Sequence, residues 1–263
     1  MLTAFLTGLA SAILMISLTF VLGRRIRNFG IVDVAWSWGF SMLAAVYVAM
    51  TPGLPERTTL LLVCVFAWSG RLGWHLYVRV QGHHPEEDGR YSQLREEWGA
   101  DTNRRMFWFY QLQALVLAAL STPFLLIAAN PAATLAPVEW LGAGLAIVAL
   151  IGESIADSQL NRFKRDPSNR GRTCRSGLWR YSRHPNYFFE WLVWVAFFLF
   201  ALASPYGALT AACPMVMLYF LLKQTGIPAT EEQALRTKGE DYRRYQRTTS
   251  AFVPWFPKKE EIS

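Results

Sequence analysis

Cysteine is scarce in this chain. Cys64, Cys174 and Cys213 are the only three, none at metal-ligand spacing and two of them inside apolar runs. That argues against a disulfide framework and against a zinc module. There is no Walker or GxGxxG loop, no internal repeat and no low-complexity linker. The soluble nucleotide-binding folds that those glycine loops mark are therefore excluded. Charge is sparse too. Charged residues make up 17% of the chain, where soluble domains carry about a quarter. Residues 1–23 carry none at all. An ordinary soluble globule does not have this balance.

Long apolar runs take the place of charge. The first covers 1–23, and others of spanning length fall near 31–51, 58–79, 107–129, 135–156, 187–203 and 206–222. A helix needs about 20 apolar residues to cross a bilayer, so the expectation is seven transmembrane helices in one all-α polytopic domain, 1–263. The first run is expected to be a span rather than a signal peptide: no basic region or small-residue cleavage site accompanies it, and Arg24, Arg25 and Arg27 stop it. Basic residues are missing from one side. Loops 1–2, 3–4 and 5–6 and the segment from Lys223 onward hold nearly all of them, and the opposite loops hold only Arg57. The positive-inside rule then places the N-terminus outside and the C-terminus in the cytoplasm. The net charge of +7 sits on one face, where anionic headgroups account for it; no nucleic-acid module is present.

Ionisable groups inside apolar spans are costly and mark function by default. They are Asp33, Arg71, His75, Glu153, Asp157 and Glu190, all toward the cytoplasmic ends of their spans. Each also has a plain structural reading as an ion pair or helix brace. His83 and His84, beside Glu86, Glu87 and Asp88, read as a solvated loop rather than a metal site. No metal is expected. The segment 156–187 is the densest region. It mixes Lys164, Arg165, Arg170, Arg172, Arg175, Arg180 and Arg183 with Trp179, Tyr181 and Tyr187. Arginine forks hold phosphate and flat aromatics stack on rings, which suits a dinucleotide. His184-Pro185 restricts the backbone before the next span, and aims Asn186 and the first amides of that helix at an anion or amide.

These residues resemble the C-terminal region of the steroid 5α-reductase family in its bacterial branch. The likeness is carried by Asp157-x-Gln159, Phe163-Lys164-Arg165-Asp166, and Gly177-Leu178-Trp179-Arg180-Tyr181-Ser182-Arg183-His184-Pro185-Asn186-Tyr187 with Glu190. It continues through Glu231-Glu232, Lys238, Asp241-Tyr242, Tyr245 and Phe252-Val253-Pro254-Trp255. The resemblance covers the last 110 residues or so; the N-terminal half shares span number and scattered polar residues.

It implies an integral protein of the bacterial inner membrane whose active site faces the cytoplasm. Hydride would pass from NADPH to the double bond of an α,β-unsaturated ketone, a 3-oxo-Δ4-steroid or similar lipid. The cofactor residues it implies are Asp157, Gln159, Phe163, Lys164, Arg165, Arg172, Leu178, Trp179, Arg180, Tyr181, Arg183, His184, Asn186, Tyr187, Glu190, Glu232, Tyr242 and Tyr245. Residues 1–130 would supply substrate-side helices, and 150–263 the cofactor-binding helices, loop and tail. Asp33 stands where the family has Glu. The family's Tyr aligns with Trp68, which has no acidic hydroxyl, so His75 or Tyr91 would fill that role beside Asp33.

The RHPNY core is shared with membrane methyltransferases of the isoprenylcysteine carboxyl type, which use S-adenosylmethionine. That second reading stays open on RHPNY alone. The cations of 162–183 favour a phosphate-bearing cofactor. A non-enzymatic transporter is a third reading, and the inverted repeats and midplane helix breaks it would require are absent.

Overall fold

The computed structural model describes residues 1–83, 87, 89–224 and 226–258. His84, Glu86 and Asp88 of the histidine loop lie outside the described residues. Every regular element among the described residues is helical. The helices are α1 (Leu2–Ile26), α2 (Ile31–Met50), α3 (Pro55–His83), α4 (Gly89–Trp98), α5 (Thr102–Leu120) and α6 (Thr122–Ala128). After them come α7 (Pro137–Arg165), α8 (Pro185–Ala201), α9 (Ala212–Tyr219), α10 (Ile227–Lys238) and α11 (Glu240–Thr248). Six helical stretches are long and apolar enough to cross a membrane: α1, α2, most of α3, the run Gly89–Ala128, α7, and the run Gly207–Lys238. This is the architecture of an integral membrane protein. The remaining expected span is α8, which is apolar but only 17 residues long.

Helix ends follow local chemistry. α1 stops where Arg24 and Arg25 fill its last turn, Arg27 turns left-handed (φ 55°) and the Asn28 N–H closes on the Gly23 carbonyl at 2.9 Å. Cations there complement the negative end of the helix dipole. The expected span 107–129 is broken between α5 and α6, because Pro123 in the first turn of α6 has no N–H to donate. Ser121 fills the break: its Oγ lies 2.9 Å from the buried Tyr47 hydroxyl. α7 runs past the expected 135–156 to Arg165, so Arg162, Lys164 and Arg165 stand on a helix and not in a loop. Long basic side chains are good helix formers, and Pro167 ends the run.

The chain divides into two compact units, Met1–Trp140 with Phe200–Ala208, and Leu141–Leu199 with Leu209–Ser263. In the first, α1 packs on α2 and α5, α2 packs on α3, and α6 packs against α2 and α3. Arg57, the lone cation expected on the outer side, is fully buried. Its Nε donates to Glu139 Oε1 at 2.5 Å and its Nη2 to Oε2 at 3.2 Å. Nη1 donates to the Ala132 carbonyl at 2.8 Å, and Nη2 to that of Thr134 at 2.7 Å. A buried ion pair persists only when its other donors are also satisfied, and these are.

In the second unit α7 and α8 approach closely. A Cβ at Gly152 would run into the Phe189 ring. α10 packs on α11 and on the π-helical turn Phe220–Gln224 that follows α9.

Candidate functional site

The first unit holds a tyrosine–carboxylate pair. The Tyr91 hydroxyl, on α4, donates to Asp33 Oδ1 at 2.7 Å, in the first turn of α2. Tyr91 is 1% exposed. The guanidinium of Arg90 lies 5.9 Å from the Tyr91 ring centre and 5.5 Å from that of Phe109. A second layer secures the corner. Glu87 accepts the Phe29 N–H and, through its other oxygen, the Arg95 guanidinium at 2.9 Å. Tyr110 donates to the Phe29 carbonyl at 2.6 Å. His75 is half-buried on α3 and makes no hydrogen bond among the described residues. Trp68 is buried against Phe40.

The second unit is organised around a carboxylate absent from the expected site. Glu231, on α10, accepts Arg183 Nε at 2.7 Å and Tyr242 at 3.3 Å through Oε1, with His184 Nε2 3.2 Å from the same atom. Its Oε2 accepts Gln246 at 2.8 Å. Arg183 also donates to the Gln246 carbonyl at 3.1 Å and the Thr249 carbonyl at 2.6 Å. His184 stacks on Tyr187, ring centres 5.4 Å apart and nearly parallel. Arg183 and His184 are thus tied to protein groups. They brace the turn before α8. The expected Glu232 is exposed and pairs with Arg236 one turn on.

Further bonds fix the turn itself. Gly177 opens the 3-10 turn Gly177–Arg180 at φ 59°, where a Cβ would also strike the Gln159 amide. Gln159 Oε1 instead accepts the Leu178 N–H at 2.9 Å. Trp179 Nε1 donates to the Ala156 carbonyl at 2.9 Å. The Tyr245 hydroxyl donates to the carbonyls of Trp179 and Ser182. Burial pushes the Tyr242 and Tyr245 phenols above their ordinary range, so both stay protonated donors. Asp241 accepts the Thr173 N–H at 2.7 Å and Arg175 at 2.8 Å. Burial works against its charge, yet the Thr173 bond and Arg175 hold it below the usual carboxylate range.

Three features among the described residues suit a ligand. Arg162, Lys164, Arg165, Arg170, Arg172 and Arg180 are exposed and make no ion pair among the described residues. Asn186, in the first turn of α8, donates through Nδ2 to Asp157 Oδ1 at 3.3 Å, while its buried Oδ1 has no hydrogen-bond partner among the described residues. One turn further, Glu190 accepts Trp194 Nε1 at 3.1 Å. A cleft of about 950 Å³ follows α7 from Leu150, Ile151 and Ile155 to Gln159, Arg162 and Phe163, closing on Asn169, Ser176 and Gly177. It is apolar at one end and polar at the other. Among the described residues no three of His, Cys, Asp and Glu converge as metal ligands would.

Residues 19–249 match the family described as Protein of unknown function (DUF1295). The chain belongs to that family. It is also 30% identical over 160 residues to Uncharacterized protein C594.04c of Schizosaccharomyces pombe. That match covers 52% of this chain and 46% of the relative, so the chain spans about half the length of the curated relative it matches. No solved structure gives a significant match.

Proposed function

We propose that the protein is a membrane-embedded, NADPH-dependent reductase of the carbon–carbon double bond in a hydrophobic α,β-unsaturated ketone, such as a 3-oxo-Δ4-steroid or a related lipid. The observation that carries this reading is the buried Asn186 Oδ1, a hydrogen-bond acceptor with no partner among the described residues. Leaving such a group unmatched costs about 1–3 kcal/mol, which a ligand N–H would recover. A carboxamide presents the complementary N–H. The five exposed cations of 162–172 supply the charge that phosphates require, and S-adenosylmethionine has no phosphate to engage them.

In this reading Lys164, Arg165 and Arg172 take the 2′-phosphate, and Asn186 orients the carboxamide. Arg183, His184 and Glu231 hold the turn that presents them. NADPH, when bound, supplies the hydride. Hydride addition to the β-carbon makes an enolate, a hydroxyl directed at its oxygen lowers the barrier, and a proton drawn from water then reaches the α-carbon. Tyr91 is the hydroxyl proposed for that role, its proton turning from Asp33 to the ketone oxygen when substrate binds. The pocket of the reaction is proposed to face the cytoplasm in a seven-span protein of a bacterial inner membrane, with the N-terminus outside.

The test is thermal stabilisation of the detergent-solubilised protein. Anything that binds only the folded state stabilises it by about 2.7 kcal/mol at a hundredfold excess over Kd. NADPH should raise Tm at concentrations where NADH and S-adenosylmethionine leave it unchanged. A shift with S-adenosylmethionine alone would favour the methyltransferase reading.

A further inference from the structure

The segment after α11 carries an apolar patch that the proposed reaction does not use. Val253 is 53% exposed, Trp255 71% and Phe256 75%. These side chains are not loose. The Trp255 N–H donates to the Tyr181 carbonyl at 2.8 Å, and the Lys258 N–H to that of Thr248 at 2.8 Å. The Arg183 N–H donates to the Ser250 carbonyl at 2.8 Å, and Ser182 Oγ to that of Phe252 at 2.8 Å. The Phe256 ring meets Tyr181 edge-on, centres 6.0 Å apart. A backbone fixed at this many points holds its apolar side chains outward by construction.

Depth identifies what covers them. Tyr181 stands four residues before Pro185, where α8 begins. Phe252 packs on Phe188 and Trp191, ring centres 5.7 and 5.9 Å away. Trp191 is six residues into α8, about 9 Å along a helix rising 1.5 Å per residue. Residues 250–256 therefore run beside the first turns of an apolar helix, at the level where it enters the bilayer. Exposed Arg180 and Lys258 flank the patch and make no ion pair among the described residues. Tryptophan with flanking cations is the composition of the headgroup boundary.

We propose that residues 250–258 form a membrane-inserted strap. Val253, Trp255 and Phe256 enter the acyl boundary of the leaflet that α8 enters, and Arg180 and Lys258 meet anionic headgroups. The strap ties the Glu231 cluster to the membrane surface, since Arg183 belongs to both. This rests on α8 being a span and does not depend on the cofactor or on the reaction.

The experiment uses the full chain in vesicles of phosphatidylcholine and phosphatidylglycerol. Cys64, Cys174 and Cys213 are buried, so an introduced thiol is the reactive one. A nitroxide is attached in turn to Phe256→Cys, to Arg243→Cys on the exposed side of α11, and to Ile151→Cys on the apolar part of α7. Collision with oxygen and with a water-soluble nickel complex reports depth. The label at 256 should lie about 5–10 Å below the phosphates, the depth of an interfacial apolar face. The label at 243 should be in water and the one at 151 in lipid. If 256 matches 243 while 151 stays in lipid, the strap is refuted and the membrane fold survives; if 151 is in water, the membrane reading itself has failed. A label at 256 shielded from both reagents and dipole-coupled to another copy would assign the patch to a dimer and overturn the proposal. Unlabelled protein gives a second measurement. The fluorescence difference between wild type and Trp255→Phe should be strongly quenched by lipids brominated near the glycerol, and an unquenched difference contradicts insertion.

Discussion

Glu231 gathers a guanidinium, an imidazole, an amide and a phenol on one carboxylate, whereas its neighbour Glu232 reaches a single exposed arginine. Helix phase separates them. Glu231 is one turn beyond the buried Ile227, and Glu232 is rotated toward water. Glu231→Gln removes the negative charge that pairs with Arg183 and sets an NH2 group against the Gln246 amide. Glu231→Gln should therefore lower stability by about 1–3 kcal/mol, the cost of a charged hydrogen bond lost in a partly buried site. Glu232→Gln should stay within about 0.5 kcal/mol of wild type. Thermal unfolding of the two variants in the same detergent measures this; equal losses would mean that the Glu231 cluster does not brace the turn. Asn186 is legible in sequence as a polar group at a span end, and Tyr91 only as a loop tyrosine able to replace the family's. Their partners are less so: Asp157 is 29 residues from Asn186 and Asp33 is 58 from Tyr91. Pattern reading along the chain registers helix faces, and only packing brings such residues together.

At the scale of elements, hydrophobic runs placed the helices well because spanning length is a strong physical constraint. The misreadings come from residues that tolerate both states. The cations of 162–165 read as loop because they are polar, yet they continue α7 until Pro167. Arg57 reads as an outer-loop charge, but its neutralising partner Glu139 lies 82 residues away. The junction of 173–175 with α11 is another long-range feature, and it carries a pH dependence. Asp241 has a depressed folded pKa, so the junction's contribution is complete above the unfolded carboxylate range and is lost as pH falls through the folded value. Arg175 and Asp241 are each more than a third exposed, and screening limits the effect to about 1 kcal/mol or less. Asp241→Asn should lower stability slightly at neutral pH and remove this part of the acid sensitivity. Unfolding curves of the variant and wild type that stay parallel down to about pH 3, below the ordinary Asp pKa, would refute the assignment.

For the whole molecule, the absence of cations from one side predicts orientation. Burial of Arg57 against Glu139 sharpens that asymmetry, since the only basic residue expected in the outer loops is neutralised internally. A reporter fused after Ser263 should be active in the cytoplasm, and activity confined to the outer side would invert the topology. Turnover decides whether the chain passes hydride from NADPH to an enone as proposed. Purified protein in lipid nanodiscs should oxidise NADPH only when an enone such as progesterone is present, yielding the saturated ketone in equal amount. Asn186→Ala should weaken that reaction about tenfold through cofactor binding, one buried contact being lost. Tyr91→Phe should lower kcat by about a hundredfold, as loss of an oxyanion donor does elsewhere. If NADPH is not consumed with any of a broad set of enones, while S-adenosylmethionine binds and transfers its methyl group to a lipid-like acceptor, the reductase account is wrong.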